Sequence, residues 1–525
     1  MYRIAEQRLA ALLNSKQYDL LSSSQIGLEK ESLRVSPDGS LSQTPHPHSL
    51  GSPLTHPYIT TDYSEAMIEL ITPPTENIDD ALNFLCDIQK FVYSELDNEL
   101  LWATSMPCVV SDETSIPIAE YGNSNAGLMK TVYRRGLGHR YGRVMQVISG
   151  VHYNYSFAES FWPVFQDIEQ NNENLQDFIS DSYFGLIRNL QRFGWLVPYL
   201  FGASPAVCKS FIGGELSTLK SFNENTYYQP YATSLRMGDI GYQNNQEANS
   251  GIKANYDNLD SYVDSLDRAI KTPFEEYEKI GVVVNGQYEQ LNANILQIEN
   301  EYYSTIRPKQ LTGVFEQPIH ALKHRGVRYV ELRSLDVNAY DPLGINEEQL
   351  YFLEVFLVFC QLHGSPAINS VERVHIDQNE LAAAHRGRDP HLYLYKNGKK
   401  ILLKEWAKEI LSAMEGVSEF LDKGRGHSLY SASLSAQMDK VVDPDLTPSA
   451  RMLSEMSDAG EGFFSYALRM SKKHQLYFSE RSLSSESKQE FIEMARESWK
   501  RSEELKSKEN ESFEAYLERY FNQKL

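Results

Sequence analysis

The chain has 525 residues, with 50 Lys+Arg against 71 Asp+Glu and so a formal charge of −21 with histidine neutral; it is 41% hydrophobic and 23% charged, a soluble globular composition. A surface this acidic repels phosphate backbones, so general nucleic-acid binding is disfavoured. Glu6 and Arg8 interrupt the N-terminal apolar stretch, and nowhere do about 18 uncharged apolar residues run together, so no membrane span and no signal peptide are expected, and a cytoplasmic protein is.

Residues 3 to 22 have helical spacing. GLEKESLRV (27 to 35) alternates as a strand and ends in Ser36-Pro37-Asp38-Gly39, which predicts a hairpin into Leu41. EAMIELIT (65 to 72) is a second strand, stopped by Pro73-Pro74, and residues 77 to 100 follow as a helix with an Asx-type start. VMQVISGVHYNYSF (144 to 157) is β-branched and aromatic, a strand with Gly150 as a bulge position. A helix is expected over 171 to 192, then a hairpin at Asn285-Gly286 between IGVVV and QYEQL, then the strand GVRYVELRSLDVN (326 to 338). From Asn346 the pattern turns helical: 347 to 363 and 401 to 421 read as amphipathic helices around an Asn397-Gly398 hairpin signal, and 484 to 521 as a charge-rich helical tail.

A prior of about 150 residues per domain suggests roughly three domains. No repeat and no long Gly/Ser/Pro linker divides the chain, however. The expected organisation is a catalytic α+β sheet region over 1–345 and a mostly helical region over 346–525 packed on it. Cys86, Cys108, Cys208 and Cys360 are scattered without a C-x-x-C pair, so neither zinc nor a redox motif is suggested, and four buried free thiols are expected.

Strand periodicity puts Glu29 and Glu31 on one face, with Leu28 and Lys30 on the other. A solvated strand face explains one such pair equally well. The pattern recurs, however: His152 and Asn154 share a face, Glu331 and Arg333 share a face, and Glu69 sits on an apolar strand with Asp62 just before it. Together these strands would present one polar sheet face, rich in carboxylates, suited to Mg²⁺ or Mn²⁺ rather than zinc. LQIENEYYSTIRPK (296 to 309) adds Glu299 and Glu301, then Arg307 and Lys309, a pair of cations able to hold phosphate oxygens. The usual nucleotide loops are missing: Gly136-Leu137-Gly138 starts a dinucleotide fingerprint that fails at Tyr141, and there is neither an H-E-x-x-H nor a G-x-S-x-G segment. Such a platform would suit phosphoryl transfer by positioning and charge neutralisation. A paired-carboxylate glycosidase, which needs no metal, and an acidic Mg²⁺-binding interaction protein stay open.

GLEKESLRV, TTDYSEAMIELITPP, SMPC, MQVISGVHYNYS, RFGWLVPYLFGASPAVC, YATSLRMGDIGY, LQIENEYYSTIRPK and YVELRSLDVN, in this order and spacing, resemble the proteobacterial type of glutamate–cysteine ligase. The likeness runs from about residue 20 to 365 and returns in DPDLTPSARMLSEM (443 to 456). It implies a curved antiparallel sheet forming a funnel, similar to glutamine synthetase and flanked by helices. The activity it implies is ATP-dependent joining of L-cysteine to the γ-carboxylate of L-glutamate through a γ-glutamyl phosphate. Carried over, Glu29, Glu31, Asp62, Glu69, His152 and Glu331 match metal-site positions, and Arg333 an arginine that neutralises the transferring phosphoryl group. For ATP itself, the residues expected from the pattern above are Arg307 and Lys309. Tyr133, Leu137, Gln146, Arg236, Tyr242 and Tyr303 match the cysteine pocket, with Asn154 beside it. The family has phenylalanine where this chain has Tyr63, so a phenol enters the pocket wall. Feedback inhibition by glutathione and a monomeric state are further implications.

Overall fold

The computed structural model describes residues 2–108, 113–212, 218–241, 253–313 and 315–523. Its centre is an open sheet of seven strands, every pairing antiparallel: β1 Gln25–Val35, β2 Ile59–Thr61, β3 Met67–Ile71, β4 Leu100–Leu101, β5 Val151–Ser156, β6 Ile306–Lys309 and β7 Tyr329–Leu335. The order across the sheet is β6-β7-β5-β1-β3-β2, with β4 pairing the far end of β1. Segments more than 100 residues apart thus lie side by side, and the expected α+β architecture of an antiparallel sheet flanked by helices is present.

Helices cover the back of the sheet: α1 Arg3–Ser15, α2 Ile78–Glu95, α4 Leu175–Phe193, α5 Glu347–Leu362, α7 Leu403–Arg425 and α8 Leu429–Val442; α3 Asn125–Tyr141 lies elsewhere, along the polar face, and α6 Ser370–Arg386 packs beside the turn 235–237. One apolar cluster joins Leu28, Tyr153, Leu332, Phe184, Phe356, Ile410 and Leu434, so the C-terminal helices share a core with the strands. α5 was expected to be amphipathic; from Gln349 to Leu362 every residue is buried, because α5 packs between α4, α7 and α8 and has no solvent face to keep polar. Its N-terminus is closed by a capping box between Asn346 and Gln349. The back face also carries Lys30, 4% exposed, which donates to Gln89 Oε1 at 2.9 Å and to the carbonyl of Pro342; burial pushes its ammonium down to about 7.

Several boundaries moved. The first helix stops at Ser15, where Lys16 adopts φ +56°, instead of reaching 22. In 144 to 157 only Val151–Ser156 is a strand, and Met145–Val147 form a helical turn. Gly150 is a point of close approach: a Cβ there would lie 2.2 Å from the Arg236 guanidinium. Both Asn-Gly hairpins form, with positive φ at Asn285, Gly286, Asn397 and Gly398. The tail is two helices rather than one, α10 Ser485–Ser507 and α11 Phe513–Phe521, each with a serine cap; α9 Phe463–Ser479 precedes them.

The expectation of four buried free thiols holds in full only for Cys360, since Cys86 is free but half-buried. Cys108 and Cys208, 100 residues apart in sequence, are joined as a disulfide with Cα atoms 5.7 Å apart, while Cys86 and Cys360 are free. Spacing carried no sign of this pair, because only the fold brings the SMPC loop onto strand 206–208. Among the described residues no helix is long and apolar enough to cross a membrane.

His474 of α9 is 4% exposed, its Nε2 lies 3.0 Å from the carbonyl of Ala339, and burial with the charge of Lys30 pushes it down to about 3. Between that value and the ordinary value of about 6.5 the unfolded chain holds one more proton than the folded one, so stability falls as pH drops below about 6.5. From pH 7 to pH 5 this single group costs about 2 kcal/mol. Urea unfolding of His474→Gln at the two pH values is expected to show that much less acid sensitivity than the parent; equal sensitivity contradicts the assignment.

Candidate active site

The register brings the carboxylates together. Glu29 lies directly across from His152, Glu31 from Glu69, and Glu331 from Asn154 on one side and Arg307 on the other. With period-two alternation this puts Glu29, Glu31, Glu69, His152, Asn154, Glu331, Arg333, Arg307 and Lys309 on one face of five neighbouring strands.

Their side chains converge. His152 Nδ1 sits 3.0 Å from Glu29 Oε2 and 3.4 Å from Glu331 Oε1, and its Nε2 is 3.5 Å from Glu31 Oε1. Glu331 accepts from Arg333 at 2.6 Å and pairs with the Lys309 ammonium at 2.8 Å. Asn154 donates to Glu29 at 2.9 Å, and the Gly150 N–H to Glu31 at 2.7 Å.

Charge divides the cluster. Burial would raise Glu331, yet Lys309, Arg333, His152 and Arg307 hold it well below the usual carboxylate range. Burial and the neighbouring Glu331 would raise Glu29 too, but the hydrogen bond and charge of His152 bring it down. On the other side burial, with Asp62, raises Glu31, and burial together with Glu29, Asp62 and Glu31 pushes Glu69 well up. Burial opposes the charge of Arg333, but Glu331, Glu31 and Glu29 keep it firmly protonated. Carboxylates crowded until some prefer the neutral form are short of positive charge. One ligand atom from each of Glu29, His152 and Glu331 lies within 4.8 Å of the others, a donor set that fits a hard divalent cation.

The face opens into a cavity of about 260 Å³. The site residues expected from the sequence line it except Glu299, which accepts from the Ile319 N–H at 3.1 Å instead, Asn154, which donates to Glu29, and Tyr242, which lies outside the described residues. Arg236 is 2% exposed; it donates to the Arg333 carbonyl at 2.8 Å and lies 3.6 Å from Asp336, itself fixed by Ser234 and the Ala203 N–H. Arg307 donates to the carbonyls of Asn300 and Tyr302. The Tyr63 hydroxyl is buried and has no hydrogen-bond partner among the described residues.

Sequence reasoning missed α3, which supplies Tyr133, Arg134, Leu137 and Tyr141 to the wall. Gly136 and Gly138 depress its helical signal, by about 1 kcal/mol each relative to alanine, and close packing requires at least the second: a Cβ on Gly138 would lie 2.5 Å from the Tyr63 hydroxyl. Arg134 stacks 4.6 Å over the Tyr121 ring and reaches Asp62 at 3.8 Å. Spacing of four residues from Tyr133 to Leu137 and again to Tyr141 was the available signal. Met145, Gly241, Asn300 and Glu301 complete the lining.

Fold and site together define the class: a ligase, which spends phosphate chemistry on making a bond. A profile of the glutamate-cysteine ligase family matches residues 9–382. Glutamate–cysteine ligase of Alcanivorax borkumensis is 46% identical over 98% of this chain and 99% of its own length, and that of Pseudomonas aeruginosa 46% over 99% and 98%. The crystal structure of Francisella tularensis glutamate–cysteine ligase in complex with AMP superposes with a TM-score of 0.89 at 36% identity, covering 95% of this chain and 97% of that one. The chain belongs to the glutamate–cysteine ligase family.

Proposed function

We infer that the protein joins the amine of L-cysteine to the γ-carboxylate of L-glutamate at the expense of ATP, giving γ-glutamylcysteine, ADP and phosphate in the cytoplasm, the first step of glutathione synthesis. The observation that carries this reading is the face on which Glu331 is held between Lys309, Arg333 and His152, in a chain of this family. A γ-carboxylate oxygen attacks the γ-phosphorus and ADP leaves; the cysteine amine then attacks the acyl carbon and phosphate leaves. No enzyme nucleophile is required.

Glu29, His152 and Glu331 would hold Mg²⁺ or Mn²⁺, with Glu31, Asp62 and Glu69 as the adjoining carboxylates. When bound, such ions neutralise the oxygens of the triphosphate. Arg333 offers its guanidinium to the phosphoryl group in flight, and Arg307 and Lys309 hold phosphate oxygens. Arg236, locked by Asp336, receives the cysteine carboxylate, while Tyr63, Tyr133, Leu137, Gln146 and Tyr303 bound a slot for a small thiol. Glutathione repeats the γ-glutamyl and cysteinyl parts and competes for the same groups.

Phosphate release from Mg-ATP and glutamate, measured with and without cysteine, tests this. Release is expected to depend on cysteine and to leave ADP, and to stop when the metal is chelated. AMP and pyrophosphate as products, or indifference to cysteine, contradict the chemistry; no phosphate release, together with metal-independent cleavage of a glycoside, would favour a glycosidase-type site.

A further inference from the structure

A cavity of about 900 Å³ lies away from the carboxylate face and shares no residue with the catalytic cavity. Its walls come from α1, the end of α4, the segment just after α5, the first half of α6, the Asn397-Gly398 hairpin and α7. Pockets that enclose a small molecule span about 300–1,000 Å³, and this one falls among them. Nothing in the reaction inferred above uses it.

The wall is poorly suited to an ion, because its cations are already committed. Arg192 pairs with Glu372 at 2.6 Å and donates to the Pro366 carbonyl at 2.8 Å. Arg8 grips both carboxylate oxygens of Glu169 and donates to the carbonyls of Leu362 and His363 at 3.1 Å and 3.3 Å. Neither guanidinium fork is open to an anion, and Glu372 has its counter-charge. Burial, with the charges of Arg192 and Arg8, pushes the His363 imidazole down against the pull of its hydrogen bond to Gly364, so it stays neutral.

Two buried ring nitrogens specify the polar group that fits. His363 Nδ1 lies 2.7 Å from the Gly364 carbonyl, which can only accept, so Nδ1 carries the proton and Nε2 presents a lone pair. Trp406 Nε1 can only donate. Neither His363 Nε2 nor Trp406 Nε1 has a hydrogen-bond partner among the described residues, although both residues are more than nine-tenths buried. Their rings pack on the same Phe193, 5.1 Å and 6.3 Å from it between centroids, and the Tyr2 hydroxyl beside Trp406 is unpartnered as well. A buried donor and a buried acceptor left open carry their full desolvation cost. One hydroxyl answers both, giving its proton to the imidazole and accepting from the indole. The rest of the wall is flat and apolar: His375 stacks on Tyr395 at 4.3 Å with 11° between the planes, and Ile4 and Ile376 continue the surface. Such faces suit a planar ring.

We propose that this cavity is a second ligand site, which takes an uncharged aromatic molecule bearing a hydroxyl group. Calorimetric titration of the full chain with 4-ethylphenol tests it, beside 4-ethylanisole, the methyl ether of the same ring, which has no proton to give. One saturable site is expected for the phenol, with a Kd of about 0.1–1 mM. Affinity should be about tenfold weaker for the ether, and about tenfold weaker for the phenol in Trp406→Phe, which keeps a ring and removes the donor. Val371→Trp sets an indole in the wall from an exposed position and should abolish binding while leaving turnover within about twofold of the parent. Saturating glutamate and Mg-ATP should leave the Kd unchanged. No saturable site up to about 5 mM phenol, equal affinity for phenol and ether, parent-like binding in Val371→Trp, or displacement by the substrates each overturn the proposal. Should Trp406→Phe fail to fold, the ether and Val371→Trp decide the matter in folded protein.

Discussion

Glu331→Gln is expected to lower kcat by about 10³-fold or more, some 4 kcal/mol of lost transition-state stabilisation, in a protein that is still folded. Glu331 is 1% exposed and touches Lys309, Arg333 and His152, so its charge sets the field of the whole face. An amide of the same shape keeps the volume but leaves Lys309 and Arg333 without their closest counter-charge and withdraws a ligand from the proposed cation site. Breaking a fully buried pair costs about 3–5 kcal/mol. Here Arg333 and Lys309 keep 20% and 29% of their side chains exposed, and Glu29 and Glu31 stay close to Arg333, so the stability loss should be smaller. A total stability of about 5–15 kcal/mol absorbs that. Steady-state rates, taken alongside thermal unfolding, separate the two effects. Near-normal turnover in folded protein would remove Glu331 from the phosphate-handling set.

For Arg333→Lys the expected loss is about 10²–10³-fold in kcat, with KM for glutamate nearly unchanged. Charge is conserved, so the effect isolates geometry. Arg333 uses one terminal nitrogen on Glu331, and its Nε has no hydrogen-bond partner among the described residues, so these use the planar group only in part. A guanidinium can grip two oxygens of a phosphoryl group at once; an ammonium on a flexible stem offers a point charge that Glu331 would recapture. Because the contact matters most when charge builds on the equatorial oxygens, the loss belongs in kcat. A matching rise in KM would mean that Arg333 binds ground-state glutamate or ATP instead.

Much of the site was legible because strand periodicity is simple. Glu29 with Glu31, His152 with Asn154, and Glu331 with Arg333 each sit two apart, and two-apart residues share a face whatever the strand pairs with. The resemblance to a family supplied Tyr133, Leu137 and Arg236, which no local pattern marks. Other features were hidden for identifiable reasons. Helix α3 carries Gly136 and Gly138, so its propensity is poor, and packing against Gln297 and Tyr63 outweighs that cost. The Cys108–Cys208 pair spans 100 residues, and α5 looked amphipathic because Glu347, Glu348 and Glu354 punctuate it, although Glu354 is buried beneath Tyr155 and Tyr430.

By itself the amino-acid sequence determined the local facts: which residues alternate, where Asn-Gly turns reverse the chain, and a net charge of −21 that disfavours general nucleic-acid binding. It determined the family as well, through an ordered series of motifs. Only the tertiary structure decided which strands are neighbours, that the acidic residues at the site are held low beside Lys309 and driven toward neutrality beside Asp62, and that the tail is bonded to the start of α3. The reason is one of range. Turn chemistry and side-chain alternation act over a few residues and are written into adjacent positions, whereas strand order, cavity walls and shifted ionisation arise from burial and charge between groups that meet only when distant segments pack.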